Sequence, residues 1–261
     1  MDTAAKAISL IRPGAHLSDR VRNKLAVWID RASLPSALKE VYDDGDVRRA
    51  ISNLGLEAAA LEDGGLTAVE EHLLGRRNEL PPSAPFGSFH DGTETLGRLC
   101  YAACRALQPA VVVETGVAYG VTSAYVLQAL AQNERGSLHS IDLPPLGTKA
   151  DQYVGYFVPQ ELRKRWSLRI GSARKLLPKV LQAAGAADIF IHDSLHTYAH
   201  MRMEFAAALD TLRPGGVLIA DDVEGNRAFE EAVLDPRVAC YSAIREKGKD
   251  AICGAIRIRA L

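Results

Sequence analysis

The sequence lacks an excess of one charge and any long apolar run. Lys and Arg number 31 against 32 Asp and Glu, which gives a formal net charge of −1. A protein that follows a phosphate backbone carries a basic surface, so we expect no nucleic-acid partner. No apolar stretch approaches the roughly 18 residues of a membrane-spanning helix, so we expect no membrane partner either.

Cysteine is also scarce, and no two cysteines form a C-x-x-C pair. The four cysteines are Cys100, Cys104, Cys240 and Cys253, all in apolar segments. A disulfide scaffold or a structural zinc site is therefore not expected. The first residues, MDTAAKAISLIRPG, contain one lysine and no apolar core, unlike a secretory signal. We expect a cytoplasmic protein.

A Pro/Gly-rich stretch near residue 85 divides the chain into two parts. Residues 1–85 are predicted to form a helical N-terminal cap or arm without strands, beginning with an amphipathic helix capped by Ser18. Further helical pieces are expected around residues 38–42, 47–54 and 66–74. An arm of this kind often pairs with a partner, so we expect a homo-oligomer formed through the N-terminal helices.

Residues 86–261 are predicted to form the second domain, because short β-branched runs there alternate with helical patterns. Strands are expected over residues 110–114, 138–142, 167–171, 188–193, 217–222, 238–244 and 251–258. Helices are expected at about 96–107, 121–132, 173–184 and 199–212, with Pro214-Gly215-Gly216 ending the last of them. The pattern predicts an α/β fold, a doubly wound, mostly parallel seven-stranded sheet with a C-terminal antiparallel hairpin.

Ligands of such sheets bind at the carboxyl ends of the strands, and the first predicted strand ends in an acid and a glycine turn. Glu114 precedes Gly116 and Gly120, whose G-x-x-x-G spacing differs from the G-x-G-x-x-G of dinucleotide-binding folds. Its negative charge would repel a pyrophosphate and favour a cationic ligand. S-adenosylmethionine, with a sulfonium and an ammonium, has the fitting charge. The alternative is a structural Glu114 on a strand–helix turn.

The next two strands also end in residues suited to a nucleoside. Asp142 lies 22 residues after Gly120, where an acid can accept both hydroxyls of an adenosine ribose. Gly171, Ser172 and Ala173 are small enough to let a flat adenine lie against the backbone, although small residues also form ordinary turns.

Five segments together resemble the class I S-adenosylmethionine-dependent methyltransferases. They are VVVETGVAYGVTS (111–123), LHSIDLP (138–144), RIGSA (169–173), DIFIHDSLHTY (188–198) and LRPGGVLIADDV (212–223). Within that class the chain is similar to bacterial small-molecule O-methyltransferases, relatives of the catechol-type, macrolide-sugar and cephalosporin-tailoring enzymes. The resemblance implies that S-adenosylmethionine is bound by Glu114, Gly116, Tyr119, Gly120, Thr122, Ser123, Asp142, Gly171, Ser172, Ala173 and Asp193.

Carboxylates at the ends of the fourth and fifth predicted strands indicate a cation site. If these strands are neighbours, Asp193, Asp221 and Asp222 converge, and a hard ion such as Mg²⁺ would relieve their repulsion and acidify a bound hydroxyl. The catechol type has Asn where Asp222 stands. The alternative is that Asp221 and Asp222 cap the following helix while Asp193 only orients a substrate.

His196 is the candidate general base, since it follows Asp193 by three residues and titrates near neutral pH. The catechol type has Lys at this position, whereas the sugar-modifying relatives have His. The alternative is a histidine at a helix cap, hydrogen-bonded to the backbone.

These residues predict an O-methyltransferase (EC 2.1.1.-) that acts on a hydroxyl of a small molecule, a sugar or a secondary metabolite, with Asp193 and His196 as catalytic residues. Two other functions stay open. One is an NAD-dependent dehydrogenase or epimerase, which Glu114 and the glycine spacing disfavour. The other is a non-catalytic subunit that keeps the fold for binding.

Overall fold

The computed structural model describes residues 16–38, 41–42, 46–81, 84–86, 93–144 and 150–260. Its helices are α1 (Leu17–Asp30), α2 (Val47–Asn53), α3 (Gly64–Asn78), α4 (Glu94–Leu107), α5 (Val121–Gln132), α6 (Ala150–Tyr153), α7 (Ala173–Ala184), α8 (Tyr198–Thr211) and α9 (Ala228–Val233). Its strands are β1 (Val111–Thr115), β2 (Ser137–Asp142), β3 (Trp166–Ile170), β4 (Ala187–His192), β5 (Leu212–Ala220), β6 (Val238–Arg245) and β7 (Ile252–Ile258). Short 3₁₀ turns occupy Ala59–Glu62 and Gln160–Arg165.

The seven strands form a single sheet in the order β3-β2-β1-β4-β5-β7-β6. Strands β3, β2, β1, β4 and β5 run parallel, and β7 joins β5 and β6 in antiparallel pairs. The predicted fold class is therefore confirmed, including the terminal hairpin. The strand order reverses between β1 and β4, and such a reversal is where open α/β sheets bind their ligands.

Both faces of the sheet are buried, which explains why its central strands are nearly all apolar. Alternate side chains of β1 enter different cores: Val112 packs with residues of α4 and α5, and Val113 packs with residues of α7 and α8. Residues of α2 and α3 extend the first of these cores, so most of the described N-terminal region packs on the second domain.

Helix α1 differs from its prediction. It begins at Leu17 with His16 as the N-cap residue, so Ser18 lies in the first turn and does not cap the helix. Its large apolar side chains face solvent: Trp28 is 68% exposed and Ile29 66%. The face that meets the protein is polar and contains the buried Asp19 and Arg20. Homo-oligomer formation through this helix stays a prediction.

Two secondary-structure predictions from the sequence are wrong. Tyr42, expected in a helix, forms a parallel bridge with Ile244 of β6 and adds a short strand contact to the sheet edge. Strand β5 begins at Leu212, five residues before its expected start, because Leu212 pairs with Ala187 ahead of an irregularity in the register. The Pro-Gly-Gly segment therefore lies inside β5 rather than between helix and strand.

Among the helices that the structure describes, none combines the length and apolar character required to cross a bilayer. All four cysteines are free thiols. Cys100 and Cys104 lie in the core on α4, as their helical spacing predicts.

We predict that Gly116→Ala destabilises the protein strongly. Gly116 has φ +85°, and a Cβ there would lie 1.7 Å from the carbonyl oxygen of Asp193. Backbone strain and overlap together should lower the free energy of unfolding by roughly 3 kcal/mol. Gly75→Ala is the control, because a Cβ at this exposed helical position meets nothing within 4 Å. The control should stabilise by about 0.5–1 kcal/mol. Equal urea midpoints for Gly116→Ala and Gly75→Ala would contradict this prediction.

Candidate functional site

The ends of β1, β4 and β5 lie side by side. Thr115 is in register with His192, and His192 with Ala220. The pairing continues one residue further, since the amide of Asp193 donates to Thr115 O (2.8 Å) and the amide of Asp221 donates to His192 O (2.9 Å). Asp193 and Asp221 are thus brought together at one edge of the sheet, as the sequence predicts.

Three side chains meet at this edge. Ligand atoms of Asp193, His196 and Asp221 all lie within 4.8 Å of one another, close enough to share one metal ion. The Nε2 atom of His196 is buried and has no hydrogen-bond partner among the described residues, and it lies 3.9 Å from Asp193 Oδ1.

Asp222 contacts His196, and its predicted role as a metal ligand stays a prediction. Its carboxylate lies against the other ring nitrogen of His196, with Oδ2 3.0 Å from Nδ1. The backbone of Asp222 is left-handed, with φ 48°, which is uncommon for a residue other than glycine. The group of potential metal ligands therefore contains His196 in place of Asp222. Neither aspartate caps α9, whose N-cap residue is Arg227 and has no side-chain cap.

The carboxylates of the site oppose one another's ionisation. Burial, followed by the charges of Glu114 and Asp222, raises the pKa of Asp193 well above its usual range. Burial and the Asp193 charge do the same to the pKa of Asp221. A divalent cation between these two acids would offset the repulsion, so the donor set fits such an ion.

The pKa of His196 is also raised, which for a histidine favours the charged form. Burial lowers its pKa, but the hydrogen bond with Asp222 and the charges of Asp221 and Asp222 outweigh burial, so the pKa is raised overall. The His196 hydrogen bond in turn lowers the pKa of Asp222. Asp222 and His196 thus form a carboxylate–imidazole pair, in which the carboxylate fixes the ring and leaves Nε2 facing the site.

The glycine turn after β1 brings backbone close to the other strand ends. Gly116 and Gly120 have φ values of +85° and +88°, and both approach neighbouring backbone too closely for a Cβ. Helix α5 begins directly after Gly120. The two glycines therefore let the turn pack against the backbone of Asp193 and of Gly155 immediately before α5.

Glu114 is more deeply placed than we expected. It is fully buried, and its Oε2 atom accepts hydrogen bonds from Ser123 (2.6 Å) and Ser140 (2.5 Å), while Oε1 has no partner among the described residues. Burial raises its pKa to about 7 despite the two serines. Two of the predicted cofactor residues, Glu114 and Ser123, therefore contact each other. Ser140, the third member, was not found from the sequence.

Asp142, at the end of β2, has one carboxylate oxygen without a hydrogen-bond partner among the described residues. Backbone hydrogen bonds from Val117 and Leu143 oppose the effect of burial, which nevertheless raises the pKa of Asp142 to about 7. Its Oδ2 atom is buried and has no partner within the described part of the chain. Gly171 follows β3 beside it and donates its amide to Asp142 O (2.7 Å), and α7 begins at Ala173 with Ser172 as N-cap.

Two further predicted cofactor residues have buried side chains. Tyr119 packs its ring against Phe86 and Phe157 and exchanges hydrogen bonds with the backbone of Phe86. Its side chain is thus part of an aromatic cluster. Thr122 is 4% exposed, and its hydroxyl lacks a partner among the described residues.

A buried carboxylate beneath the site was not found from the sequence. Glu204 of α8 is fully buried and contacts His192 Nδ1 (2.6 Å) and His200 Nε2 (2.9 Å), and the Ser194 hydroxyl donates to it at 3.2 Å. The spacing of His200 and Glu204, four residues apart on one helix, is the signal that could have shown this contact. A second cluster joins Asp221 to Glu246 and Cys253.

Comparison with known proteins finds a family match in the central part of the chain. Residues 113–223 match the family described as a methyltransferase domain. No curated protein matches the chain.

Solved structures share the fold over most of the chain. An O-methyltransferase from Bacillus cereus in complex with SAH is 20% identical, with a TM-score of 0.55 over 75% of this chain and 91% of that one. TomG, an O-methyltransferase of tomaymycin synthesis from Streptomyces achromogenes in complex with SAM, is 19% identical, with a TM-score of 0.53 over 82% and 99%. The class I S-adenosylmethionine-dependent methyltransferase fold indicated by the motifs is confirmed.

We predict that Glu114→Gln removes a pH dependence of stability. In the folded protein the pKa of Glu114 is raised from 4.5 to about 7. The unfolded chain therefore ionises first, and wild-type stability falls as pH rises from 4.5 to 7. Glutamine stays neutral, so the variant should gain about 3 kcal/mol on wild type over this range, at about 1.4 kcal/mol per pH unit. The measurement is urea unfolding at pH 5 and pH 8, with exposed Glu57→Gln as control. A constant difference between Glu114→Gln and wild type would refute the prediction.

Proposed function

We propose that this methyltransferase-domain protein transfers the methyl group of S-adenosylmethionine to a hydroxyl group of a small molecule. The convergence of Asp193, His196 and Asp221 beside the glycine turn of β1 carries the proposal. Methyl transfer to oxygen requires a donor, an acceptor and a proton-removing group in one place. The strand register brings Asp193 and Asp221 together next to the glycine turn, which supports the proposal.

The donor would bind at the ends of β1, β2 and β3. The unmatched Oδ2 atom of Asp142 would accept from the ribose hydroxyls, next to the turn formed by Gly116 and Gly120. The SAH and SAM complexes of the structural neighbours support a cofactor of this kind. Because Glu114 is buried and shares its Oε2 with two serines, we assign it to supporting the turn from below rather than to direct contact.

In the proposed reaction a lone pair of the acceptor oxygen attacks the methyl carbon in line with the sulfonium. The carbon–sulfur bond breaks, its electron pair stays on sulfur, and S-adenosylhomocysteine is released. His196 takes the hydroxyl proton on Nε2, while Asp222 holds Nδ1 and stabilises the imidazolium that forms. The proton then passes to solvent.

Asp193 and Asp221 would hold a divalent cation such as Mg²⁺, which when bound would lower the pKa of the acceptor hydroxyl. The mutual repulsion of these carboxylates supports the assignment. Mg²⁺ prefers oxygen ligands, so we assign the His196 imidazole to the proton rather than to the ion.

The proposal also covers the chemical class of the methyl acceptor, the location in the cell and the oligomeric state. We propose a sugar or secondary-metabolite acceptor, a fit with the tomaymycin enzyme among the neighbours. Four free thiols support a location in the reducing cytoplasm. The exposed Trp28 and Ile29 of α1 support a homo-oligomer formed through the N-terminal helices.

His196→Ala should lower the turnover number about 100-fold or more while the affinity for S-adenosylhomocysteine stays unchanged, because the base acts on the acceptor and not on the donor. The raised pKa of His196 means that the wild-type rate climbs with pH through a midpoint above about 6.5, as His196 becomes neutral. Asp222→Asn should move this midpoint to lower pH, since the hydrogen bond that raises the pKa is lost. The assay follows release of S-adenosylhomocysteine with a panel of catechols and glycosides. An unchanged rate in His196→Ala would exclude it as the base.

Chelation provides a separate test of the cation. EDTA should abolish methyl transfer and added Mg²⁺ should restore it, whereas binding of S-adenosylhomocysteine, followed by calorimetry, should persist in chelator. Asp221→Asn should raise the Mg²⁺ concentration required for half-maximal rate. Full activity in EDTA would remove the metal from the proposal and leave His196 as the sole activating group. Binding without any methyl transfer would instead favour a non-catalytic binding subunit.

A further inference from the structure

Helix α1 lies across the carboxyl ends of the parallel strands. At its start, His16 lies 3.3 Å from the position that a Cβ of Gly171 would occupy, and Asp19 accepts a hydrogen bond from Lys175 Nζ (2.8 Å). At its end, Asp30 accepts the amide of Tyr198 at 2.9 Å. Helix α1 therefore runs from the end of β3, past the ends of the neighbouring strands, to the start of α8.

Arg20 of this helix is a buried cation with an unused donor. It is 9% exposed, and its Nη2 atom donates to Asp151 Oδ1 at 3.3 Å. Its Nε–H is buried and finds no acceptor among the described residues. A buried donor without a partner is costly, more so on a charged group. Arg20 is thus incompletely satisfied by the protein alone.

Asp142, at the end of β2, has an acceptor atom without a partner among the described residues, as Arg20 has a donor without one. Its buried Oδ2 atom finds no donor in the described part of the chain. The Arg20 charge lowers the pKa of Asp142, and Asp151, which binds Arg20, raises it, so the three side chains lie within electrostatic reach. Gly171, next to His16 of the helix, also bonds to the Asp142 carbonyl.

A hydroxyl group can satisfy both side chains, because it donates one hydrogen bond and accepts others. A ribose has two adjacent hydroxyls, so it can accept from Arg20 and donate to Asp142 at the same time. We infer that Arg20 is a cofactor-binding residue that donates its Nε–H to a ribose hydroxyl of the adenosyl group, while that ribose donates to Asp142. The inference rests on the proposed function and extends the cofactor site to α1, outside the matched methyltransferase domain.

The same arrangement makes α1 a cover of the nucleoside. The face with Asp19 and Arg20 meets the residues that follow the strands, so a nucleoside bound between Arg20 and Asp142 would lie against α1. Binding should therefore hold α1 in place.

The test compares two ligands and three variants by calorimetry. The ligands are S-adenosylhomocysteine and its 2′,3′-dideoxyribose analogue. Arg20→Met keeps the length of the side chain but has no N–H donor, Arg20→Lys keeps the charge opposite Asp151 but not the Nε–H, and Arg22→Gln is a control at an exposed position of the same helix. Far-ultraviolet circular dichroism checks that each variant is folded.

Both Arg20 variants should weaken S-adenosylhomocysteine binding about 10- to 100-fold, as expected for a hydrogen bond to a charged group. They should not weaken binding of the dideoxy analogue further, because the partner hydroxyl is already missing. Arg22→Gln should bind both ligands like wild type. Hydrogen exchange of residues 17–30 should slow with S-adenosylhomocysteine in wild type and less so in Arg20→Lys.

Equal weakening for both ligands would overturn the inference, since Arg20 would then act only by holding the helix. Wild-type affinity in both Arg20 variants would also overturn it and leave the proposed function intact. Failure of the wild-type protein itself to bind S-adenosylhomocysteine would overturn both, and it is recognised without any variant.

Discussion

The close approach of two carboxylates at the ends of neighbouring strands, Asp221 buried and Asp193 partly buried, is the constraint on which the site depends. Asp193 and Asp221 follow strands whose register leaves them no freedom to move apart. Like charges in a desolvated place raise each other's pKa, so the pair requires protons or a cation. The same register brings Gly116 against the backbone of Asp193, which excludes any side chain at that position.

Two further acids near Asp193 and Asp221, Asp222 and Glu204, lie in different surroundings. Asp222 follows Asp221 directly, but its left-handed backbone turns its carboxylate to His196, where it holds the imidazole. Glu204 lies fully buried below and is satisfied by histidine and hydroxyl donors instead of by a ligand. Environment, rather than residue type, therefore gives these acids different partners: a second carboxylate for Asp193 and Asp221, a histidine ring for Asp222, and histidines with a serine hydroxyl for Glu204.

Helix α1 connects the N-terminal region to this chemistry. Its buried polar face contacts the strand ends through Asp19, Arg20 and Asp30, whereas its apolar side chains face outward. An amphipathic helix ordinarily buries its apolar side. The reversed arrangement is understandable because the surface beneath is polar: it offers Lys175 Nζ to Asp19, the Tyr198 amide to Asp30 and the Asp151 carboxylate to Arg20.

The sequence by itself determined the elements of the second domain and their order. Period-2 and period-3.6 patterns placed six of the seven strand starts within one residue, and the positions after the strands predicted that Asp193 and Asp221 would meet. Tertiary structure alone decided the pairing of Asp222 with His196, the burial of Glu114 between Ser123 and Ser140, and the contact of Arg20 with Asp151. The reason is physical: local periodicity reports which side of an element is apolar, whereas these contacts depend on backbone conformation at single residues and on segments distant in the chain.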